Sequence, residues 1–75
     1  MNHKQLTFAR EYRGYSQTEL AESIKGLSQS NLSRFEKGFG VLSDDVQKKI
    51  IDFLNFPEEF FDKKITAFSL SILFN

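Results

Sequence analysis

The sequence predicts an all-α domain, and three observations carry that prediction. Apolar residues recur at helical spacing, as in Val46, Ile50, Phe53 and Leu54. Capping residues stand ahead of such runs at Ser16, Ser28 and Ser43, and helix-ending residues stand behind them at Gly14, Gly26, Gly38 and Asn55. The 75 residues include no cysteine, so one small hydrophobic core has to hold the fold without disulfides.

Taken in order, the first helix places Leu6 and Ala9 on one stripe and Phe8, Tyr12 and Tyr15 on another, with Tyr12 half exposed and Gly14 closing it. The second opens on a capping box, Ser16 with Glu19, just ahead of the Leu20-Ala21-Ile24 cluster. Tyr15 and Leu20 stand where a hydrophobic staple would form. Gly26 breaks this helix, Ser28 caps a third whose inward positions are Leu32 and Phe35, and Gly38 stops it. Ser43 then caps a fourth, with Asp44 and Asp45 in the first turn, where the helix dipole favours acid. Asn55 ends that helix. Phe56 precedes Pro57, which suits the first position of a fifth short helix containing Phe60 and Phe61.

Residues 65 to 74, ITAFSLSILF, break the pattern: Phe68, Leu70, Ile72 and Phe74 alternate with small or polar neighbours, the period of a β-strand. A lone strand cannot satisfy its own backbone, so it pairs with a second copy or begins a further domain. The expected organisation is a helical domain over residues 1–64 and a strand-like tail over 65–75 that serves dimerisation or leads onward.

Ser16 to Gly38 thus reads as two short amphipathic helices joined by a tight glycine turn, the sequence form of a helix-turn-helix. The third helix, about residues 28–37, leaves Gln29, Ser30, Asn31, Ser33, Arg34 and Lys37 off its apolar face. Those side chains are of the types that read base edges and phosphates. Gln29, Ser30 and Asn31 are the candidates for direct readout, amides pairing bidentately with adenine. Arg34 would grip a phosphate or a guanine, and Ser33 and Lys37 a phosphate. Gln17, at the start of the second helix beside its free N–H groups, would meet the DNA backbone. Thr18 and Ser28 complete the candidate DNA-binding set. The same residues also suit an ordinary solvated helix face.

Over residues 6 to 62 the chain resembles the Cro/repressor-like (XRE-type) helix-turn-helix proteins of bacteria and phages. Arg10, Gln17, Leu20-Ala21, SQSNLS at 28–33 and Glu36-Lys37-Gly38 carry the resemblance. It implies a five-helix repressor-like domain in which the second helix crosses the DNA backbone and the third lies in the major groove. It also implies a structural ion pair between Arg10 and Glu36, against which stands the bare alternative that Arg10 binds phosphate. The turn Lys25-Gly26-Leu27 is one residue longer than the family's usual turn. The stretch from GLSQSNLSRFEKG through DFLNFPEEFF, with the tail, also resembles the front of longer regulators that carry an ImmA/IrrE-type zinc peptidase domain. That resemblance places a zinc-binding HExxH helix beyond Asn75.

Charge qualifies the nucleic-acid reading, because the formal net charge is zero. It is polarised, however: up to Leu42 six cations face four anions, and from Ser43 onward four face six, so the half with the reading helix is the positive one. His3 is the lone histidine, expected to be exposed near a fraying end, and with no cysteine present it makes no zinc site by itself. No metal, cofactor or catalytic set is expected, because no nucleophile-base pair is recognisable. No apolar run reaches the about 18 residues a membrane span needs, and no signal segment opens the chain, so a cytoplasmic location is expected. The expected function is sequence-specific binding of a double-stranded DNA operator by a transcriptional regulator, as a homodimer joined through the tail. The competing readings are a protein-interaction module, as in an adaptor or antitoxin, and the targeting end of a zinc metallopeptidase.

Overall fold

The computed structural model describes residues 1–62. They form four α-helices, α1 (His3–Tyr12), α2 (Gln17–Ser23), α3 (Gln29–Glu36) and α4 (Asp44–Leu54), followed by a 3-10 helix at Glu58–Asp62. The all-α class holds over these residues, but the count of five α-helices does not. The last turn winds more tightly, its first bond running from the Phe60 N–H to the Pro57 carbonyl. Five residues are too few to close several i→i−4 bonds, and short connectors take the 3-10 form. The strand expected at 65–74 and the boundary at residue 64 lie outside the described residues.

Local chemistry sets the helix ends. Ser16, Ser28 and Ser43 each accept a backbone N–H of their helix's first turn. Asn2 does the same for α1, accepting from the Lys4 and Gln5 N–H groups. Asn55 closes α4 in the left-handed region at φ 56°, a conformation asparagine tolerates better than most residues.

The core is continuous beneath all the helices. Leu6, Ala9, Leu20, Leu32, Ile50, Leu54 and Phe61 have no solvent exposure. In α4 the buried line is Val46, Ile50, Leu54, at spacing four. Phe53, expected in the same stripe, is instead 39% exposed and rests on the Tyr15 ring at 5.1 Å. It lies one residue from Leu54, about 100° around the helix, on the flank of the stripe.

Residues 56–61 fasten α1 from its other side. The Asn2 N–H donates to the Phe61 carbonyl, and the buried Gln5 amide donates to the Phe60 carbonyl. Phe8, Tyr12, Phe56, Phe60 and Phe61 form a ring cluster with centroids 4.8 to 6.2 Å apart. Arg13 closes this end. Its Nε and Nη2 donate to the Leu54 and Asn55 carbonyls at 2.8 and 2.9 Å, and its guanidinium lies 4.6 Å from the Phe56 ring centre. A cation at the carbonyl end of α4 meets both the unpaired carbonyls and the negative end of the dipole.

Candidate nucleic-acid interface

Local hydrogen bonds cap the ends of α2 and α3. In α2 the Ser16 hydroxyl accepts from the Glu19 N–H at 3.1 Å, while the Glu19 carboxylate accepts from the Ser16 N–H at 2.8 Å. That backbone bond, helped by the Ser16 side chain, holds the Glu19 carboxyl below its ordinary range. The turn runs from Ile24 to Leu27, with Gly26 at φ 90°, a left-handed conformation that a side chain would strain. Ser28 caps α3 by accepting from the Asn31 N–H at 3.1 Å. At its far end the Gly38 N–H donates to the Phe35 carbonyl and the Phe39 N–H to the Arg34 carbonyl, the paired bonds of a Schellman motif.

Between these ends α3 is divided sharply. Leu32 and Phe35 are buried, whereas Ser28, Gln29, Ser30, Asn31, Arg34 and Lys37 are exposed and Ser33 is half-buried. On α2 Thr18 is exposed and Gln17 half-buried. The structure therefore brings Gln29, Ser30, Asn31, Arg34 and Lys37 together on one exposed helix surface, with Thr18 exposed on the neighbouring helix.

Behind that surface runs a chain of side-chain hydrogen bonds. Arg10 holds Glu36 with two parallel bonds, Nε to Oε2 at 2.8 Å and Nη2 to Oε1 at 2.9 Å, and its third contact goes to the Tyr15 carbonyl at 2.7 Å. Both side chains are buried, at 9% and 5% exposure. Burial pushes the Glu36 carboxyl up, but hydrogen bonds from Arg10 and Gln17, the Arg10 charge and a bond from Thr7 together hold it below the usual carboxylate range. The bond to Glu36 is the main cause raising the Arg10 pKa, against burial. Arg10 is thereby committed to protein and not free for phosphate. The chain continues: Gln17 Nε2 donates to Glu36 Oε1 at 3.1 Å, and Gln29 Nε2 donates to Gln17 Oε1 at 3.0 Å.

Besides Arg13, two polar residues take roles that the sequence pattern does not show. His3 is half-buried rather than exposed: its Nδ1 donates to the Glu36 carbonyl at 3.1 Å, and the ring lies where a Cβ on Gly38 would meet it at 3.4 Å. The last carbonyls of α3 lack helical partners, and His3 satisfies one of them. Gln5, 1% exposed, ties α1 to the 3-10 turn. Partners more than 30 positions away leave no periodic signal; only a polar residue on the apolar stripe beside Leu6 hinted at Gln5. Among the described residues no group of three or more His, Cys, Asp or Glu could hold a metal, and no helix is long and apolar enough to cross a membrane.

Comparison with known proteins gives a consistent picture. The helix-turn-helix family matches residues 8–61. A protein of Pyrococcus furiosus named as an HTH-type transcriptional regulatory protein is 40% identical over 62 residues, covering 83% of this chain and 17% of its own length. One of the same name from Pyrococcus horikoshii is 42% identical over the same share of each. Neither name refers to a peptidase. The chain thus spans about a sixth of the length of these relatives. No solved structure matches it.

Proposed function

We propose a function from one premise: this chain belongs to the helix-turn-helix family. The domain binds double-stranded DNA in transcriptional regulation, with α3 lying in the major groove and α2 crossing the backbone. The observation that carries this is the division of α3, whose first turn presents Gln29, Ser30 and Asn31 outward while Leu32 and Phe35 lock it to the core. Gln29 and Asn31 read base edges, and Ser28, Ser30, Ser33, Arg34 and Lys37 meet bases or phosphates. From α2, Thr18 and the second N–H of Gln17 reach the backbone. The domain performs no chemistry of its own.

Selection from a randomised duplex library, followed by a salt titration of the enriched duplex, tests this reading. Phosphate contacts require affinity to fall steeply and linearly in log–log form as salt rises. Failure to enrich any duplex would return the fold to the protein-interaction reading. One copy reads few base pairs, and two copies would meet half-sites about 10 bp apart or a multiple of it. The alternation of Phe68, Leu70, Ile72 and Phe74 supports pairing through the tail, and a chain ending at Asp62 should then lose dimers and duplex affinity together. Equal, monomeric sedimentation of both chains would discard that pairing. For a longer protein, the ImmA/IrrE resemblance predicts an HExxH helix after Asn75, which the downstream coding sequence tests.

A further inference from the structure

Hydrogen bonds have direction, so a chain of them can be read from its one unambiguous member. Here that member is Glu36. An ionised carboxylate only accepts, and the bidentate grip of Arg10 keeps Glu36 ionised at neutral pH. The Gln17 amide atom 3.1 Å from Glu36 Oε1 is therefore its nitrogen, which turns the Gln17 oxygen toward Gln29. That oxygen accepts, so the Gln29 atom 3.0 Å away is again a nitrogen. Gln29 is left with one N–H and its carbonyl oxygen to offer outward.

Those two groups match one purine and not the other. In the major groove adenine shows an acceptor, N7, beside a donor, the N6 amino group, whereas guanine shows two acceptors, N7 and O6. One N–H and one oxygen complement adenine. A Gln29 amide turned over would point its N–H groups outward, the complement of guanine, but would set its oxygen against the Gln17 oxygen, which cannot donate. An unconstrained glutamine could adopt either orientation at the base.

The geometry points to Glu36 as a specificity-determining positioning residue: acting through Gln17, its carboxylate fixes the Gln29 amide in the orientation that accepts adenine and rejects guanine. The inference rests on the proposed role of Gln29 as a base contact. Glu36 itself touches no base, and its ion pair does two jobs, joining α1 to α3 and setting the polarity of the reading head.

Two variants and two readouts test it. Gln17→Leu interrupts the relay and leaves Arg10 and Glu36 paired. The double variant Arg10→Met/Glu36→Leu removes the carboxylate while keeping both glutamines, and apolar replacement of a buried pair is commonly tolerated. Each chain is used to select from a duplex library randomised over about 10 bp, one helical turn. Gln29→Ala identifies the position that Gln29 reads. Wild type should enrich adenine there. Each variant should keep its base preferences at the other positions, with Gln17→Leu also binding every duplex more weakly for want of its backbone contact, and should lose adenine-over-guanine preference at that position by about tenfold, within the range of one bidentate contact.

In the free protein, the Gln29 side-chain amide should be ordered by 15N relaxation in wild type and mobile in Gln17→Leu. Should the double variant fail to fold, the Gln17→Leu selection and the relaxation data decide. An unchanged preference in folded Gln17→Leu, a uniform loss of base preference across all positions, a guanine at the Gln29 position in wild type, or an equally mobile Gln29 amide in both chains would each overturn the inference alone. A wild-type chain that enriches no duplex would overturn the DNA reading and the inference with it.

Discussion

The two sides of α1 are held by different balances of chemistry, side chain to side chain on one and rings with bonds to backbone carbonyls on the other. Toward α3, Arg10 makes two directional bonds to Glu36, which passes order on to Gln17 and Gln29. Toward residues 56–61, Phe8 meets Phe60 in a tilted contact and Tyr12 meets Phe56 edge-on. Aromatic rings attract over a wide range of angles, so the rings supply burial without demanding one arrangement, and direction on that side comes from the bonds of Asn2, Gln5 and Arg13 to backbone carbonyls. The polar side has one workable assignment of donors and acceptors, and a wrong partner there leaves a buried charge or amide unpaired. The comparison separates where the domain stores stability from where it stores orientation.

The largest break should come on the polar side, from a substitution that scarcely changes shape. Glu36→Gln keeps the volume but orphans the Arg10 charge, and should cost about 3–5 kcal/mol in urea unfolding. An exposed pair would cost about 1 kcal/mol or less, so a loss that small would erase the contrast between the two sides. Acid should expose the same group. Because the folded Glu36 carboxyl lies below its ordinary value, its stabilisation is full above the ordinary carboxylate range and is lost as pH falls through the folded value. An acid titration of Arg10→Met/Glu36→Leu should lack that part of the decline seen in the parent. Identical acid profiles would assign the decline to other carboxylates.

Arg13 lies between the two kinds of chemistry, because it donates to carbonyls and also rests on a ring. Arg13→Ala removes two charge-assisted bonds and the contact with Phe56, yet the residue is exposed and water can replace much of what is lost. The expected cost is about 1–2 kcal/mol by thermal or urea unfolding. A cost near that of Glu36→Gln would place a second orientation-dependent clamp on the aromatic side. Phe60→Leu, by contrast, changes the shape of a half-buried ring and should cost about 1 kcal/mol, since neighbouring rings can repack.

The same distinction explains what was legible in the sequence. Ser16, Ser28, Ser43, Gly38 and Asn55 act on bonds within a few residues, so their chemistry and their positions in the chain coincide. The apolar lines Leu6-Ala9, Leu32-Phe35 and Val46-Ile50-Leu54 were legible from period alone. Polar groups with distant partners were not: His3 with residue 36, Gln5 with residue 60, and Arg13 with residues 54 and 55. Only the family resemblance pairs Arg10 with Glu36. Gln17 and Gln29 were each singled out as surface contacts, but no spacing rule says that one glutamine orders the other.

The smallest effect on stability should come from Gln29, the residue proposed to read a base in the groove. Gln29 is exposed, on the first position of α3, and its side-chain bond goes to another glutamine near the surface. Gln29→Ala therefore removes little that the fold uses, and urea unfolding should shift by no more than about 0.5 kcal/mol. Binding is different, because a bidentate base contact is worth about 1–3 kcal/mol of discrimination. The variant should stay folded while its affinity for the duplex enriched by the parent falls by that amount, as measured by fluorescence anisotropy at fixed salt. Unchanged affinity in the folded variant would remove Gln29 from direct readout. A stability loss near 2 kcal/mol would show that the relay belongs to the fold as much as to the reading head, and the division between the two sides of α1 would have to be redrawn.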